Sequence, residues 1–439
     1  MKLGLISLGC AKNLIDSELF LGLAKKYNLE ITNKIKDTDV IVVNTCGFIL
    51  PAKEESLNTI FEVLEYQKHN KTIIVMGCLV ERYLNDLKQE IPEVDYFIPI
   101  SQYDELDVVF NSITKSNFSH KLDYKERLLS TPKGTAYLRI GDGCNNRCHY
   151  CAIPLIRGNY RSRLKQDIIE EAKMLAKKDV KEIVLIAQDT TTYGSDLGNT
   201  NLVDLLKSIK ELNLFKFIRV LYLYPDEITD ELIDLMTMDN ENDSSYIVPY
   251  FDIPIQHSET RLLKHMNRRG TKEDIELIFD KIKQKNKDAI LRTTLITGYP
   301  SETEEEFDAM LKFVNKHSIN HLGCFAYSEE EGTIGAGLPF QINEKVRTDR
   351  ANAIMQLQQK KSLQLNKQRI GKEYFALVEK YDPTENIYQA RTYAEAPEGD
   401  DGYVLIKNEN LVLGEIIKLK IINASYYDLE AIVIKKEEN

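Results

Sequence analysis

The sequence predicts an α/β protein in three parts: an N-terminal doubly wound parallel sheet, a central partial (β/α)6 barrel, and a small C-terminal antiparallel β-barrel. Three observations predict it. Short apolar runs alternate with amphipathic segments from the start of the 439-residue chain to about residue 113, the pattern of βαβ units in a parallel sheet. Six further units of the same kind follow from about residue 134, too few to close an eight-fold barrel. After a long helical segment the pattern changes to short strands separated by turn signals, as in a small barrel. The implied boundaries are 1–113, a linker 114–133, 134–362 and 363–439.

In the first part, "LGLIS" precedes the helical segment "NLIDSELFLGLAKKY", and "VIVVN" precedes "PAKEESLNTIFEVLEYQKHN". "TIIVM" precedes "LVERYLNDLKQEI", and "YFIPI" is a fourth strand. Open parallel sheets bind ligands beyond the carboxyl ends of their strands. Cys10, Cys46 and Cys78 each stand at such an end, flanked by Gly9, Gly47 and Gly77, which permit tight turns and close backbone approach. Free cysteines are often simply buried small residues. Three of them along the ligand-binding edge of one sheet point instead to a site.

Residues 114–133 are polar and aperiodic, ending in "STPKG", and read as a linker. The barrel strands are "AYLRI", "EIVLIAQ", "FIRVLYL", "YFDIPI", "ILRTTLITG" and "HLGCFAYS". Active residues are expected on the loops at their carboxyl ends. The segment from Glu344 reads as a long helix ending at Gly371, a plausible C-cap. "EYFALVEKY", "IYQARTY", "GYVLIK", "EIIKLKIINAS" and "DLEAIVIK" are the strands of the last part.

Composition bounds the function. Charged residues are 28% and net charge is −11, so the overall field repels nucleic acid at long range. No apolar run approaches the roughly 18 residues that span a bilayer, and the N-terminus lacks a signal-peptide h-region and cleavage site. A cytosolic location is expected. Seven cysteines in a chain of this kind favour metal or catalytic use over disulfides.

The strongest chemical signal is "GDGCNNRCHYCAIP" (Gly141–Pro154), which sets Cys144, Cys148 and Cys151 as C-x3-C-x2-C after the first barrel strand. Three thiolates can hold three irons of a 4Fe–4S cubane, leaving the fourth iron open to bind another molecule. A zinc knuckle with His149 as fourth ligand is the competing reading. His149 lies between two ligating positions, so its ring would have to fold back onto the same ion. A thioredoxin-type motif would use two cysteines, and the third argues against it.

C-x3-C-x2-C with Tyr150 before its last cysteine, placed after the first strand of a βα barrel, resembles radical S-adenosylmethionine (SAM) enzymes. Joined to three dispersed N-terminal cysteines and a C-terminal β-barrel, the chain resembles the methylthiotransferase family over essentially its whole length. Further motifs that carry the resemblance are "VNTCGF", "MGCLVERY", "PLIRGNYRSR", "LIAQDTTTYG", "FDIPIQHSETRLLKHMNR", "TTLITGYPSETEEEF" and "GCFAYSEEEGT". "RTYAEAPEGDDGYVLI" and "NASYYDLEAIVI" are similar to the branch that modifies an aspartate in protein twelve of the small ribosomal subunit. In family terms the central part is a radical SAM core and the last part a TRAM domain.

The resemblance implies two 4Fe–4S clusters and SAM as cofactors. Cys144, Cys148 and Cys151 would hold the cluster that binds SAM and, once reduced, yields a 5′-deoxyadenosyl radical that takes a hydrogen from Cβ of the target aspartate. Cys10, Cys46 and Cys78 would hold the second cluster, from which sulfur leaves as methylthio. The chemistry lies on the cofactors, so no acid or base is assigned. Tyr150, Gln188, Gln256 and Arg292 would contact SAM, Arg292 through the methionine carboxylate. "TGYPSE" reads as a tight turn acting through its backbone. Cys324 lies inside a strand and reads as a buried structural residue, and His257 and His265 as ordinary residues.

Relatives with the same domain order modify transfer RNA, and methylthiolation of a transfer RNA adenosine is the alternative reading. Between Tyr381 and Asp401 the last domain has Asp382, Glu385, Glu395, Glu398, Asp400 and Asp401 against only Arg391. Such a stretch would repel phosphates and suit a basic ribosomal protein. The expected partners are that protein and a reductase or ferredoxin-type electron donor, with no membrane, little RNA binding, and a monomeric chain.

Overall fold

The computed structural model describes residues 1–66, 70–407 and 409–434. The end of the second predicted helix (67–69) and the last residue of the final predicted strand (435) lie outside them. The chain divides into two compact units. One comprises Met1–Ser130, Asp142–Tyr160 and Ser328–Ala336, and the other Thr131–Gly141, Arg161–Tyr327 and Gly337–Asn439.

The first unit is built on five parallel strands: β1 (Lys2–Ser7), β2 (Glu30–Ile31), β3 (Val40–Thr45), β4 (Thr72–Gly77) and β5 (Tyr96–Ile98), in the order β2-β1-β3-β4-β5. Successive side chains of a strand point to opposite faces, and both faces are apolar. Val40, Val42, Ile74 and Met76 pack with α1 (Ala11–Lys26) and α4 (Leu106–Thr114) through Phe20, Leu23, Leu106 and Phe110. Ile41, Val43, Ile73 and Val75 pack with α2 (Leu50–Leu64) and α3 (Cys78–Glu90) through Ile60, Val63, Leu79 and Val80. This is the predicted doubly wound sheet. The predicted linker is packed rather than free. Arg127 is buried in an ion pair with Glu18 of α1, and the backbone nitrogen of Leu128 donates to the Glu18 carbonyl at 3.0 Å.

In the second unit, Thr135–Arg139, Glu182–Ile186 and Phe217–Val220 run parallel and adjacent. Tyr250–Asp252, Ile290–Thr297 and His321–Ala326 do the same. The two groups meet where the Leu223 nitrogen donates to the Asp252 carbonyl at 2.8 Å, so six parallel strands form the predicted partial barrel. A helix, Asp230–Thr237, lies between the third and fourth of these strands. The long helix spans Glu344–Lys367 and ends four residues before Gly371, whose left-handed backbone belongs to the following turn rather than to a cap.

The last part is a closed five-stranded barrel of Glu373–Asp382, Ile387–Arg391, Val404–Lys407, Leu429–Val433 and Ile416–Ala424, in that order round the barrel. Ion pairs fix it to the strands of the same unit. Arg391 is fully buried between Glu182 and Glu379, at 2.5 Å from each, and Arg219 donates to Glu182 at 2.8 Å and to the Tyr393 carbonyl at 2.8 Å.

Candidate functional site

The register of the first sheet gathers the three dispersed cysteines. Thr45 pairs with Gly77, so Cys46 and Cys78 follow in neighbouring positions, and the Leu8 nitrogen donates to the Asn44 carbonyl at 2.9 Å, bringing the turn before Cys10 to the same edge. Two glycines make the approach possible. A Cβ on Gly77 (φ +101°) would lie 2.3 Å from Asn44 Oδ1, and one on Gly9 (φ +86°) would lie 2.8 Å from Cys46 Cβ. Cys46 and Cys78 are buried and Cys10 is exposed. Burial pushes the Cys78 thiol up to about 12, opposed by the Arg157 guanidinium and reinforced by the neighbouring Cys10 and Cys46 sulfurs. Cys46 is raised too, again chiefly by burial, with a contribution from Cys10. The three sulfurs thus lie within electrostatic reach of one another.

The C-x3-C-x2-C segment belongs to the same compact unit. Its loop is closed at its base, where the Cys144 nitrogen donates to the Gly158 carbonyl at 3.1 Å and Tyr160 N donates to Asn145 Oδ1 at 3.1 Å. The Cys151 nitrogen donates to the Cys148 carbonyl at 3.1 Å, which curls the chain between these two cysteines. Cys144, Cys148 and Cys151 are partly exposed. A short helix, α5 (Ile153–Arg157), follows directly. Ala152 and Ile156 pack with Cys78, Phe48 and Ile100. One apolar cluster therefore joins the two sets of cysteines.

Polar residues that the sequence reading did not single out complete the site. Arg157, buried at the end of α5, donates to Asp16 at 2.7 Å and to Asn13 Oδ1 at 2.9 Å, and lies 3.8 Å from Cys78 Sγ. Asn13 Nδ2 donates to the Leu8 and Thr45 carbonyls at 3.1 and 2.8 Å, tying both strand ends together. The first helix carries Lys12, Asn13, Asp16, Ser17 and Glu18 among apolar residues, and all five are buried. Arg82 bridges the Gly47 carbonyl, beside Cys46, to Glu330 of the 328–336 segment at 2.7 and 3.0 Å. The Gly335 nitrogen donates to the His149 carbonyl at 2.7 Å.

In the barrel, Gln188 stands two residues beyond its strand and is half-buried. Gln256 is held in left-handed backbone (φ +69°) by bonds to Thr294 and Ile296 at 2.8 and 2.7 Å, the kind of strained conformation found at functional sites. The next residue, His257, accepts from the Glu259 nitrogen through Nδ1 at 3.0 Å and faces Glu302 at 3.5 Å. Glu302 also takes the Gly298 nitrogen at 2.9 Å and Arg350 at 2.6 Å, so a buried polar network braces "PIQHS" and "TGYPSE". Tyr150 is half-buried in the cysteine loop.

Two sequence expectations can be placed in the structure. Arg292 is the third residue of its strand, far from the carboxyl end, and its guanidinium faces Asp252, Asp400 and Asp401 at 3.4 Å each. The acidic stretch of the last domain is not the continuous surface that the sequence suggested. Glu395 is buried against Arg369, Asp401 is buried against Arg292 and His321, and Glu398 accepts from Tyr137. Cys324 is half-buried in its strand, its thiol pushed up to about 12 by burial.

Among the described residues no three His, Cys, Asp or Glu side chains gather as ligands of a single ion. Cubane ligands each take a separate iron, so the two triads need not converge on one point. Their donor sets, three soft thiolates each, fit iron–sulfur clusters.

Comparison with known proteins decides the family. Residues 138–314 match the radical SAM superfamily, 2–99 match Uncharacterized protein family UPF0004, and 370–434 match the TRAM domain. Across 99% of both chains the protein is 46% identical to the ribosomal protein uS12 methylthiotransferase RimO of Acetivibrio thermocellus. The chain belongs to the RimO family of radical SAM methylthiotransferases. The RimO proteins of Caldicellulosiruptor saccharolyticus and Clostridioides difficile are 43% and 44% identical, over 99% and 98% of this chain and 100% and 98% of theirs. Among solved structures, the radical SAM methyltransferase TsrM of Kitasatospora setae shares the fold at 13% identity and TM-score 0.56, over 74% of this chain and 71% of that one. A member of this family carries SAM and a 4Fe–4S cluster as its working cofactors. No helix among the described residues is long and apolar enough to cross a membrane.

Proposed function

We propose that the protein adds a methylthio group to Cβ of an aspartate in ribosomal protein uS12. The observation that carries the reading is the full-length 46% identity to a uS12 methylthiotransferase RimO, in a chain whose Cys78, from one cysteine triad, shares an apolar cluster with Ala152, next to Cys151 of the other. Cys144, Cys148 and Cys151 would hold the cluster that binds SAM, and Cys10, Cys46 and Cys78 a second cluster. When bound, these groups supply radical generation and the sulfur to be transferred. The chain's own residues position the two sites. The strand register and Asn13 fix the N-terminal triad, and α5, which follows the loop triad, packs with Cys78 and Phe48 through Ile156. Tyr150, Gln188 and Gln256 would contact SAM. The working divisions of the chain would be 1–113, 134–362 and 363–439.

The enzyme would act as a monomer in the cytoplasm, with electrons from a reductase or ferredoxin-type donor. Burial of Glu395 and Asp401 weakens the charge argument for a protein substrate, so the substrate reading rests on full-length similarity. Mass spectrometry of uS12 from cells with and without this enzyme tests it. A gain of one methylthio group on an aspartate, present only with the enzyme, is expected. Unmodified uS12 together with methylthiolated transfer RNA would overturn it in favour of the RNA alternative.

A further inference from the structure

Cys78 is the first residue of α3, and the Arg157 guanidinium lies 3.8 Å from its sulfur. That guanidinium is held from three sides, by Asp16 at 2.7 Å, Asn13 at 2.9 Å and Asp142 at 3.3 Å. Asn13 is itself bonded to the strand ends before Cys10 and Cys46. The cation is therefore fixed relative to all three cysteines of the N-terminal triad. It is nevertheless carried by the chain of the other triad, six residues after Cys151.

A thiolate-bound iron–sulfur group gains negative charge when it is reduced, and nearby charge and hydrogen bonds to its sulfurs set its potential. A buried cation beside the sulfur favours the added electron, a buried carboxylate opposes it, and the low dielectric of the interior strengthens both effects. We propose that Arg157 is a positioning residue that sets the reduction potential of the group held by Cys10, Cys46 and Cys78, acting as counter-charge to the Cys78 thiolate. The inference rests on the two-cluster reading above. It makes Arg157 the electrostatic link between the radical-generating loop and the sulfur-donating site. A purely structural Arg157, present only to neutralise Asp16, would leave the potential where it is.

The test uses the full chain with Cys144, Cys148 and Cys151 replaced by Ala, so that only the N-terminal triad can hold a cluster. The protein is reconstituted with iron and sulfide and titrated anaerobically with dithionite and mediators, followed by electron paramagnetic resonance. Arg157→Gln should move the midpoint to a more negative potential, Asp16→Asn should move it to a more positive one, and Arg157→Lys should restore the parent value. Unchanged midpoints in both Arg157→Gln and Asp16→Asn, with iron content intact, would overturn the proposal. If Arg157→Gln retains no iron, the direction of the Asp16→Asn shift decides. Absence of iron from the parent triple variant would instead strike at the two-cluster reading, and this inference would fall with it.

Discussion

Cys78 shares an apolar cluster with Ala152, the residue that follows Cys151 in the chain, and both are buried. Because Ala152 is fully buried, added volume there must push one cysteine site away from the other. Ala152→Leu should destabilise the fold by about 1–3 kcal/mol, the usual cost of overpacking. Iron bound after reconstitution should fall in the same variant, while Ala152→Gly should retain it. Thermal melting and iron analysis measure the two effects, and an Ala152→Leu protein with full iron and an unchanged melt would contradict the packing argument.

This contact shows where reading the sequence stops. Strand–helix alternation is a local signal, so the sheet, the six barrel strands and the small barrel are legible in it. So are the six cysteines, because their spacing and strand-end positions are local as well. The meeting of Cys78 with Ala152 depends on how the segment Asp142–Tyr160 joins a unit made mostly of the first 130 residues, and no local pattern encodes that. Arg157 was hidden for the same reason, since its partners Asn13 and Asp16 lie over 140 positions away. Arg292 shows the same limit: its place early in the strand is legible, but its partners Asp252, Asp400 and Asp401 come from a neighbouring strand and from the last domain.

The two cysteine triads should separate by function. Cys148→Ala should abolish SAM cleavage, whereas Cys46→Ala should preserve cleavage and stop methylthio transfer. Each variant should drop from roughly eight irons per chain to roughly four. Product analysis by mass spectrometry, beside an assay for 5′-deoxyadenosine, reads both outcomes. Methylthiolated product from Cys46→Ala would remove the sulfur-donor role from the N-terminal triad.

Gly77 allows Cys78 to follow its strand directly. At φ +101° a side chain is strained, and its Cβ would also lie 2.6 Å from the Thr45 carbonyl oxygen. Backbone strain of this kind costs of the order of 1–3 kcal/mol, and relief by movement would separate Cys46 from Cys78. Gly77→Ala should therefore lower stability and lose the N-terminal iron while keeping the loop iron. Retention of all iron in that variant would show that the turn tolerates a side chain.

Acid stability should depend on the carboxylates buried between the barrel strands and the last domain. Burial would raise the Asp401 carboxyl, but His321 and Arg292 outweigh it, and the Tyr250 hydroxyl and Ala396 nitrogen also bond to it, so it stays below the usual carboxylate range. Glu182 is held low in the same way by Arg391 and Arg219, against its own burial. A carboxyl with a depressed folded value contributes stability that is complete above its unfolded value, about 4, and is lost as pH falls through the folded one. Chemical unfolding of the second unit should therefore show a falling midpoint below about pH 4. Asp401→Asn cannot take up that proton, so it should be less stable than the parent at pH 7 and decline less steeply below pH 4. Arg391→Met should be the more damaging change, because it leaves Glu182 and Glu379 buried without their shared cation, a loss of about 3–5 kcal/mol. Parallel pH profiles for the parent and Asp401→Asn would mean that Asp401 is not held ionised by its partners.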